Sequence, residues 1–280
     1  MKAEKEIVLI TGCGSGIGQA LAKAFHEKGH LVCATARRLE TMAELQALGM
    51  MVRPLDVTDT DQAERLVRQL QQDGFFVGTL VNNAGYGAMG PMLDVPNDEW
   101  HKQFNVNLFA PLALVRLVAP GMHARKRGTV INISSVSGVM TTPFAGPYCA
   151  SKAAFNAASD ALRQELKPLG IRVITVQPGG IRSSFGGNAA NQVSLGAHSP
   201  YQAIKAGVLA RANESQTDSM PADDFARKLV KQCAQKSCPP IIRLGKKSTL
   251  MPALKVLLPT TWLDAILQKK FQLDRLENGA

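Results

Sequence analysis

Short apolar runs alternate with segments of helical length along most of this chain, and this alternation constrains its fold most strongly. Several runs lack polar alternation, which is typical of strands buried on both faces of a parallel sheet. Strands are predicted at 7–10, 31–36, 51–55, 79–81, 129–133, 172–176 and 241–244, and helices at 18–28, 59–72, 98–125, 150–169 and 221–234. The alternation predicts an α/β fold, a doubly wound parallel sheet of about seven strands with right-handed crossovers.

The length of 280 residues suits one large domain, so residues 1–280 are expected to form a single domain. Residues 182–219 are rich in Ser, Gly, Asn and Ala, and such a weakly patterned insertion predicts a substrate lid. The formal net charge is +10, and residues 220–280 hold 11 basic and five acidic side chains. This uneven charge predicts a basic C-terminal extension, at about 246–280, with an anionic partner of its own.

The five cysteines are scattered and odd in number, so neither a disulfide framework nor a metal site is predicted. The N-terminus lacks the apolar core of a signal peptide, and prolines and charges interrupt the longest apolar stretches, so no transmembrane span is expected. These features favour a cytoplasmic protein. Aromatic residues make up only 5% of the chain, with no basic stripe among them, which argues against nucleic-acid binding.

A glycine-rich segment joins the first predicted strand to the first predicted helix. Glycines let the backbone approach a pyrophosphate, and a helix N-terminus supplies free N–H groups. The spacing Gly12-x-x-x-Gly16-x-Gly18 differs from the usual G-x-G-x-x-G pattern, and taken alone it fits a plain tight turn equally well. Its position in the first βα turn favours a dinucleotide site.

The end of the second predicted strand indicates which dinucleotide is bound. NAD-selective sites place an acidic residue there to hold the ribose hydroxyls, whereas this chain has Arg37 and Arg38. Two arginines at a helix start could simply be solvated, but the helix dipole disfavours cations at that position. A bound 2′-phosphate would remove this penalty, so the pair favours NADP(H) over NAD.

Further motifs follow the later predicted strands in order: Asn82-Asn83-Ala84-Gly85, then Asn107, Ser134-Ser135, Tyr148-x-x-x-Lys152, and Pro178-Gly179-Gly180-Ile181-Arg182-Ser183. Together with the glycine loop, these motifs resemble those of the short-chain dehydrogenase/reductase family over about residues 5–185. The resemblance implies a Rossmann fold and an oxidoreductase that passes hydride between NADP(H) and a carbonyl or alcohol.

Tyr148 and Lys152 are spaced i, i+4, so on a helix they share one face. A free phenol has a pKa near 10, and an ammonium about 5 Å away would favour the phenolate by roughly two pKa units. The pair is therefore expected to bring the pKa of Tyr148 towards the range useful for proton transfer. Ser135, at a strand end, can donate to the same substrate oxygen.

The resemblance implies a catalytic tetrad of Asn107, Ser135, Tyr148 and Lys152. It also implies a set of cofactor-binding residues: Thr11, Gly12, Gly14, Ser15, Gly16, Ile17, Gly18, Arg37, Arg38, Asp56, Val57, Asn83, Ala84, Gly85, Tyr148, Lys152, Pro178, Gly179, Ile181 and Ser183. Two departures from the family pattern stand out. Cys13 replaces the basic residue that many NADP-using relatives carry in the glycine loop, and Gly180 is expected to loosen the turn that carries Ser183.

The predicted substrate is a lipophilic ketone or aldehyde. Expected walls are Met89, Met92, Val136, Val139, Met140, Pro143, Phe144 and the lid, all mostly apolar and without a basic residue for a carboxylate. Motif details are nearest to the hydroxysteroid/retinol dehydrogenase and acyl-dihydroxyacetone-phosphate reductase branch. A non-catalytic NADP-binding sensor or scaffold is the alternative function. A homo-oligomer paired through helices 98–125 and 150–169 is expected from the resemblance.

Residues 260–271 predict a C-terminal helix, because Pro259 and two threonines form a start signal and apolar residues recur at helical spacing. Two interpretations remain open. The apolar stripe packs on the domain or on a partner subunit, or the segment rests on an anionic membrane surface through Lys255, Lys269 and Lys270.

Overall fold

Seven parallel strands form the centre of the structure. The computed structural model describes residues 4–183, 193–214, 219–235 and 237–277. The strands are β1 (Lys5–Thr11), β2 (Leu31–Ala36), β3 (Met51–Pro54), β4 (Phe75–Asn82), β5 (Gly128–Ile133), β6 (Ile171–Pro178) and β9 (Ile241–Leu244). Their order across the sheet is β3-β2-β1-β4-β5-β6-β9. The order reverses beside β1, which opens a crevice at the carboxyl ends of β1 and β4. The predicted doubly wound sheet of seven strands is confirmed.

Helices cover both faces of the sheet. They are α1 (Gly16–Glu27), α2 (Ala43–Ala47), α3 (Thr60–Gln72), α4 (Asn97–Phe104), α5 (Ala110–Ala124), α6 (Gly146–Leu166), α7 (Lys205–Asn213), α8 (Ala222–Cys233), α9 (Leu250–Leu257), α10 (Thr260–Lys270) and α11 (Asp274–Glu277). One core cluster joins α1 and α8 to one face, and a second joins α3 and α5 to the other. Apolar strands sandwiched in this way explain why β1 and β6 show no polar alternation.

The predicted helix 98–125 is present in the structure as two α-helices, α4 and α5. A π-helical turn, Asn105–Phe109, separates α4 from α5. By length and composition the segment Asn97–Ala124 could cross a membrane, although its most apolar window has a mean hydropathy of only 1.3. Leu114, Val118 and Met122 are buried against the sheet, so in this fold it serves as a core helix.

Two short strands at the borders of the predicted lid were not foreseen. β7 (Ile181–Arg182) pairs with β8 (Met220–Pro221) in a separate two-stranded parallel sheet, and α7 lies between them in the chain. Strands of two residues are too short for any hydrophobic period to reveal. Residues 184–192 and 215–218 of the predicted lid lie outside the described residues.

The predicted C-terminal helix is present as α10. Its residues Leu263 and Leu267, with Phe271 just after it, are buried in a third cluster that includes Ile204 and Val208. This stripe packs on the domain, as the first of the two interpretations expected. The opposite side of the helix remains exposed, with Trp262 at 66% and Ile266 at 54%.

Candidate active site

Several glycines of the loop between β1 and α1 stand at positions with no room for a side chain. Gly12 and Gly16 have φ angles of +73° and +60°, a region that favours glycine. A Cβ on Gly18 would lie 2.3 Å from the Gly12 carbonyl oxygen, and one on Gly16 would lie 2.9 Å from the Ser183 Cβ. Backbone N–H groups at the start of α1 are therefore open to a ligand.

The loop is tied to the end of β4 by side-chain hydrogen bonds. Asn83 Nδ2 donates to the carbonyl oxygens of Thr11 and Gly12, at 2.8 and 3.2 Å. The Thr11 hydroxyl accepts from the backbone N–H groups of Asn83 and Ala84, both at 3.0 Å. Thr11 is almost fully buried, so its side chain positions the loop instead of forming the wall of the site.

Two exposed arginines stand at the end of β2. Arg37 and Arg38 line the same cavity as the glycine loop. Across from them, Asp56 accepts from Thr58 N at 3.0 Å and from Thr58 Oγ1 at 2.7 Å. Burial opposes the charge of Asp56, but the Thr58 hydrogen bonds and the Arg37 guanidinium outweigh it and lower the pKa of this carboxyl. This end of the cavity is therefore cationic, with one fixed carboxylate.

Ser135, Tyr148 and Lys152 meet at the carboxyl end of β5. Ser135 lies two residues after the end of β5, and its hydroxyl is hydrogen-bonded to the phenol of Tyr148. The helix α6 places Tyr148 and Lys152 on its buried face. Lys152 Nζ donates to the Ile133 carbonyl oxygen at 2.9 Å and lies 5.4 Å from the centre of the Phe155 ring.

Burial dominates the acid–base properties of these groups. It raises the pKa of Tyr148 to about 12, although the hydrogen bond from Ser135 and the charge of Arg211 act in the opposite direction. It also lowers the pKa of Lys152 to about 8. The expectation of a lowered pKa for Tyr148 is wrong for this structure, because it left out the cost of burying a phenolate. Tyr148 is a neutral phenol at pH 7.

Asn107 lies in the π-helical turn, and its side chain is fixed by backbone groups. Its Nδ2 donates to the Tyr86 carbonyl oxygen at 3.0 Å, and its Oδ1 accepts from Tyr86 N at 3.2 Å. A Cβ on Gly85 would lie 3.1 Å from Asn107 Oδ1 and 3.7 Å from Lys152 Nζ, so these three residues lie close together. Single π-turns inside helices are frequent at functional sites.

The turn after β6 packs tightly against the segment that follows β9. Gly180 N donates to the Lys246 carbonyl oxygen at 2.9 Å, and the Gly180 carbonyl accepts from Met220 N at 3.0 Å. A Cβ on Gly179 would lie 2.0 Å from the Lys246 carbonyl oxygen. Gly180 was expected to loosen this turn, but these contacts hold it in place beside Ser183.

One cavity of about 1280 Å³ collects nearly all of the predicted site residues. Those that line it are Gly12, Gly14, Ser15, Gly16, Ile17, Gly18, Arg37, Arg38, Asp56, Val57, Asn83, Ala84, Gly85, Ser135, Tyr148, Lys152, Pro178, Gly179, Ile181 and Ser183. Thr11 and Asn107 lie behind the wall. Because lining a cavity does not by itself assign a role, the individual roles of these residues stay predictions.

Sequence reasoning missed part of the wall. Thr41, Arg211, Ala212, Glu214, Lys246, Lys247 and Met251 also line the cavity. Thr41 has a local signal, since it follows the two arginines by one turn. The others come from α7 and from the chain after β9, where no motif marks them, and only tertiary structure brings them to the site.

The predicted substrate walls were partly wrong. Met89 and Val136 line the cavity, whereas Met140 and Phe144 are buried in the cluster that holds α10. Phe144 has a φ of +62°, and its ring makes edge contacts with Tyr201 and Phe271 at centroid distances of 5.8 and 6.5 Å. Met92 is exposed instead of enclosed. Apolar character alone did not distinguish a cavity wall from a core contact.

The cysteines of the described residues are all free thiols. Burial raises the pKa of Cys13, Cys33 and Cys233 to about 12 in each case. These thiols are unsuited to act as nucleophiles. Within the described ranges no group of His, Cys, Asp and Glu has the arrangement of a metal site.

Known proteins that are similar in sequence and in fold identify the family. Residues 6–194 match the family model described as short chain dehydrogenase. The chain is 39% identical to the short-chain dehydrogenase ptmH of Penicillium ochrochloron, covering 81% of this chain and 84% of that protein. It is 31% identical to the NADPH-dependent 1-acyldihydroxyacetone phosphate reductase of Saccharomyces cerevisiae, covering 98% and 94%.

Comparison of the fold with solved structures identifies the same family. The crystal structure of a short-chain dehydrogenase from Streptomyces avermitilis superposes with a TM-score of 0.78 at 28% identity, covering 100% of this chain and 99% of that one. The chain belongs to the short-chain dehydrogenase family. It is an oxidoreductase that acts on a small-molecule substrate.

Proposed function

We propose that this protein uses NADPH to reduce a ketone or aldehyde that carries a long apolar chain. The observation that carries the proposal is the meeting of Ser135, Tyr148 and Lys152 in one cavity with the glycine loop and two arginines. The Saccharomyces cerevisiae relative is named for the reduction of an acylated dihydroxyacetone phosphate, which is a ketone of this class.

The cofactor is NADP(H), and the residues present fit it. Glycines pack the loop so closely that a pyrophosphate can approach the backbone at the N-terminus of α1. Arg37 and Arg38 follow β2 and would hold a 2′-phosphate on the adenosine ribose, and no acidic residue ends β2. A guanidinium pairs with a phosphate through charge-assisted hydrogen bonds, which are stronger than those between neutral groups.

The protein's own groups polarise and protonate the substrate oxygen. NADPH, when bound, supplies the hydride that reduces the carbonyl carbon. Ser135 and Tyr148 can both donate to the substrate oxygen, and the raised pKa of Tyr148 keeps its proton available at pH 7. Lys152, four residues further along α6, is the cation that we expect to stabilise the resulting phenolate. Asn107 acts as a positioning residue that holds the Tyr86 backbone beside Lys152.

The direct test is NADPH oxidation by the purified protein with a panel of carbonyl compounds. Steroid ketones, retinal, acyl ketones and small aldehydes should be compared at matched concentrations. We expect turnover with the long-chain compounds and a much higher KM for the small aldehydes. Turnover confined to small aldehydes would contradict the proposed substrate class, and NADPH binding without turnover of any compound would contradict a reductase.

We also propose that α9 and α10 rest on an anionic membrane surface. Val256 and Leu257 are 81% and 76% exposed, and Trp262 and Ile266 present a second exposed apolar face. Lys255 lies in the same segment, with Lys269 and Lys270 in the last turn of α10. Apolar side chains among lysines match an anionic lipid surface, where each lysine near the surface contributes about 1 kcal/mol.

Sedimentation with vesicles tests the membrane surface. The protein should sediment with vesicles containing phosphatidylserine at low salt, and Trp262→Ser with Ile266→Ser should keep it in the supernatant. Leu48→Ser removes an exposed apolar residue outside these two helices and serves as the matched control. Equal partition of the three proteins would contradict the membrane proposal.

The remaining expectations belong to the same proposal. A homo-oligomer would pair through α5 and α6, where Phe109, just before α5, has an exposed ring. The free cysteines suit the reducing cytoplasm. Residues 182–219 are proposed as the lid, with Val193 bridged to Met89 beside the cavity, and residues 1–280 as one domain with the extension 246–280.

A further inference from the structure

A buried arginine in the cavity wall is not used by the mechanism above. Arg211, on α7, is only 6% exposed and lines the cavity together with Tyr148. Its Nε donates to Thr142 Oγ1 at 2.5 Å and lies 3.7 Å from Glu214 Oε2. Both contacts are made on the Nε side, and among the described residues no hydrogen-bond partner is found for the two terminal nitrogens. A buried guanidinium is costly unless its donors are satisfied.

The charges around Arg211 do not cancel. Glu214 also pairs with Lys270, so one carboxylate serves two cations. Lys247 lines the same cavity. Among the described lining residues, Glu214 is the acidic residue at this end, and the other one, Asp56, lies beside Arg37. The substrate end of the cavity therefore has an excess of positive charge, which would attract an anion.

Arg211 is also close enough to the reacting centre to influence it. Its charge lowers the pKa of Tyr148 against the larger effect of burial. Thr142, which lies four residues before α6 in the chain, holds the guanidinium through the hydrogen bond from Arg211 Nε. An anionic group bound to Arg211 would therefore lie near the carbonyl that Tyr148 protonates.

We propose that Arg211 binds an anionic group, a phosphate or a carboxylate, which the substrate carries close to its carbonyl. Thr142 and Glu214 hold the guanidinium so that its terminal nitrogens face the cavity, and a planar guanidinium suits the paired oxygens of such groups. The substrate is then an amphiphile, with an acidic end at Arg211 and an apolar chain. This inference rests on the proposed function, because it assumes that a ketone is reduced at Tyr148.

Two pairs of ketones test the inference, and each pair compares an anionic ketone with its uncharged counterpart. One pair is 1-acyl-dihydroxyacetone phosphate and 1-acyl-dihydroxyacetone, and the other is a 4-oxo fatty acid and its methyl ester. The KM of each is measured for the wild type, Arg211→Met, Arg211→Lys and the control Arg227→Met. Arg227 is exposed on α8 and paired with Asp224, so its loss removes a cation away from the cavity.

We expect the wild type to prefer one anionic member of a pair, which also distinguishes phosphate from carboxylate. Arg211→Met should change the ratio of KM values within that pair about tenfold to a hundredfold against the anion. Arg211→Lys should change this ratio less, and Arg227→Met should leave it unchanged. Equal effects on both members of a pair would overturn the subsite and leave Arg211 as a support for the fold or for Tyr148.

A binding measurement separates this inference from the proposed function. The dissociation constants of the four ketones are measured by calorimetry on Tyr148→Phe with NADPH present, with and without Arg211→Met. Selective loss of the anionic ketone supports the subsite, whatever the turnover. Binding of an anionic ketone without turnover by the wild type contradicts the reductase alone, and binding that does not depend on Arg211 contradicts the subsite alone.

Discussion

At its cofactor end the cavity is built from backbone, and at its substrate end it is built from side chains that lie far apart in the chain. Gly12, Gly16 and Gly18 form the first end within one turn, pinned by the amide of Asn83. The second end is lined by Arg211, on α7, and by Lys246, in the segment after β9. The first end was readable from local motifs. The second was not, because long-range contacts leave no local pattern.

If the two ends work separately, removing the proton donor should stop chemistry without releasing the cofactor. Tyr148→Phe keeps the ring and removes the hydroxyl that is hydrogen-bonded to Ser135. Turnover should fall about 10²- to 10⁴-fold, the usual contribution of a positioned acid. The dissociation constant of NADPH, measured by fluorescence quenching, should change less than twofold. A parallel loss of NADPH binding would show that Tyr148 also supports the cofactor end.

The substrate end should be the more fragile of the two. Phe271→Ala removes a fully buried ring from the cluster with Phe144, and such truncations cost about 3–5 kcal/mol. Denaturant unfolding should show this loss, and the KM for the carbonyl substrate should rise. NADPH affinity of the folded fraction should stay within twofold. Trp262→Ala, on the exposed side of α10, is the control and should alter stability by under about 0.5 kcal/mol.

Lys152 lies where the two ends meet, and its ionisation gives a pH signature. Its pKa is about 8 in the fold, against 10.5 for the free group, because burial disfavours the charge. Between these values the unfolded chain holds a proton that the folded chain has lost, so stability rises with pH. Relative to Lys152→Met, the wild type should gain about 3 kcal/mol between pH 7 and pH 10.5. A constant difference across this range would contradict the burial effect.

The smallest expected effect concerns the cofactor end of the cavity and its selectivity for NADPH over NADH. Arg37→Ala with Arg38→Ala should weaken NADPH binding about tenfold to a hundredfold, since a charge-assisted hydrogen bond contributes roughly 1.5–3 kcal/mol. NADH binding should change little, because it lacks the 2′-phosphate. Ala36→Asp should favour NADH further by accepting from the ribose hydroxyls and repelling the phosphate. An unchanged ratio of the two dissociation constants would mean that the arginines are solvated.

The sequence predicted the sheet because its strands are buried on both faces and carry continuous apolar runs. Prediction failed for the substrate wall and for the pKa of Tyr148, because both depend on contacts between distant parts of the chain. Met140 and Phe144 are apolar residues that follow β5, and nothing local shows that they face α10 instead of the substrate. The direction of the pKa shift of Tyr148 was wrong for a related reason. The helical spacing gives the distance to Lys152, but burial depends on the whole fold.

The ring contact between Phe144 and Phe271 has a consequence for synthesis of the chain. A ribosome completes the glycine loop, Tyr148 and Lys152 long before it makes Phe271, and chains fold from the N-terminus as they emerge. A product released by a stop codon ahead of residue 260 would retain every family motif. It would still lack Phe271, one of the two aromatic rings that contact Phe144 in the loop before Tyr148. A genome survey that counts motifs would score such a truncated gene as intact.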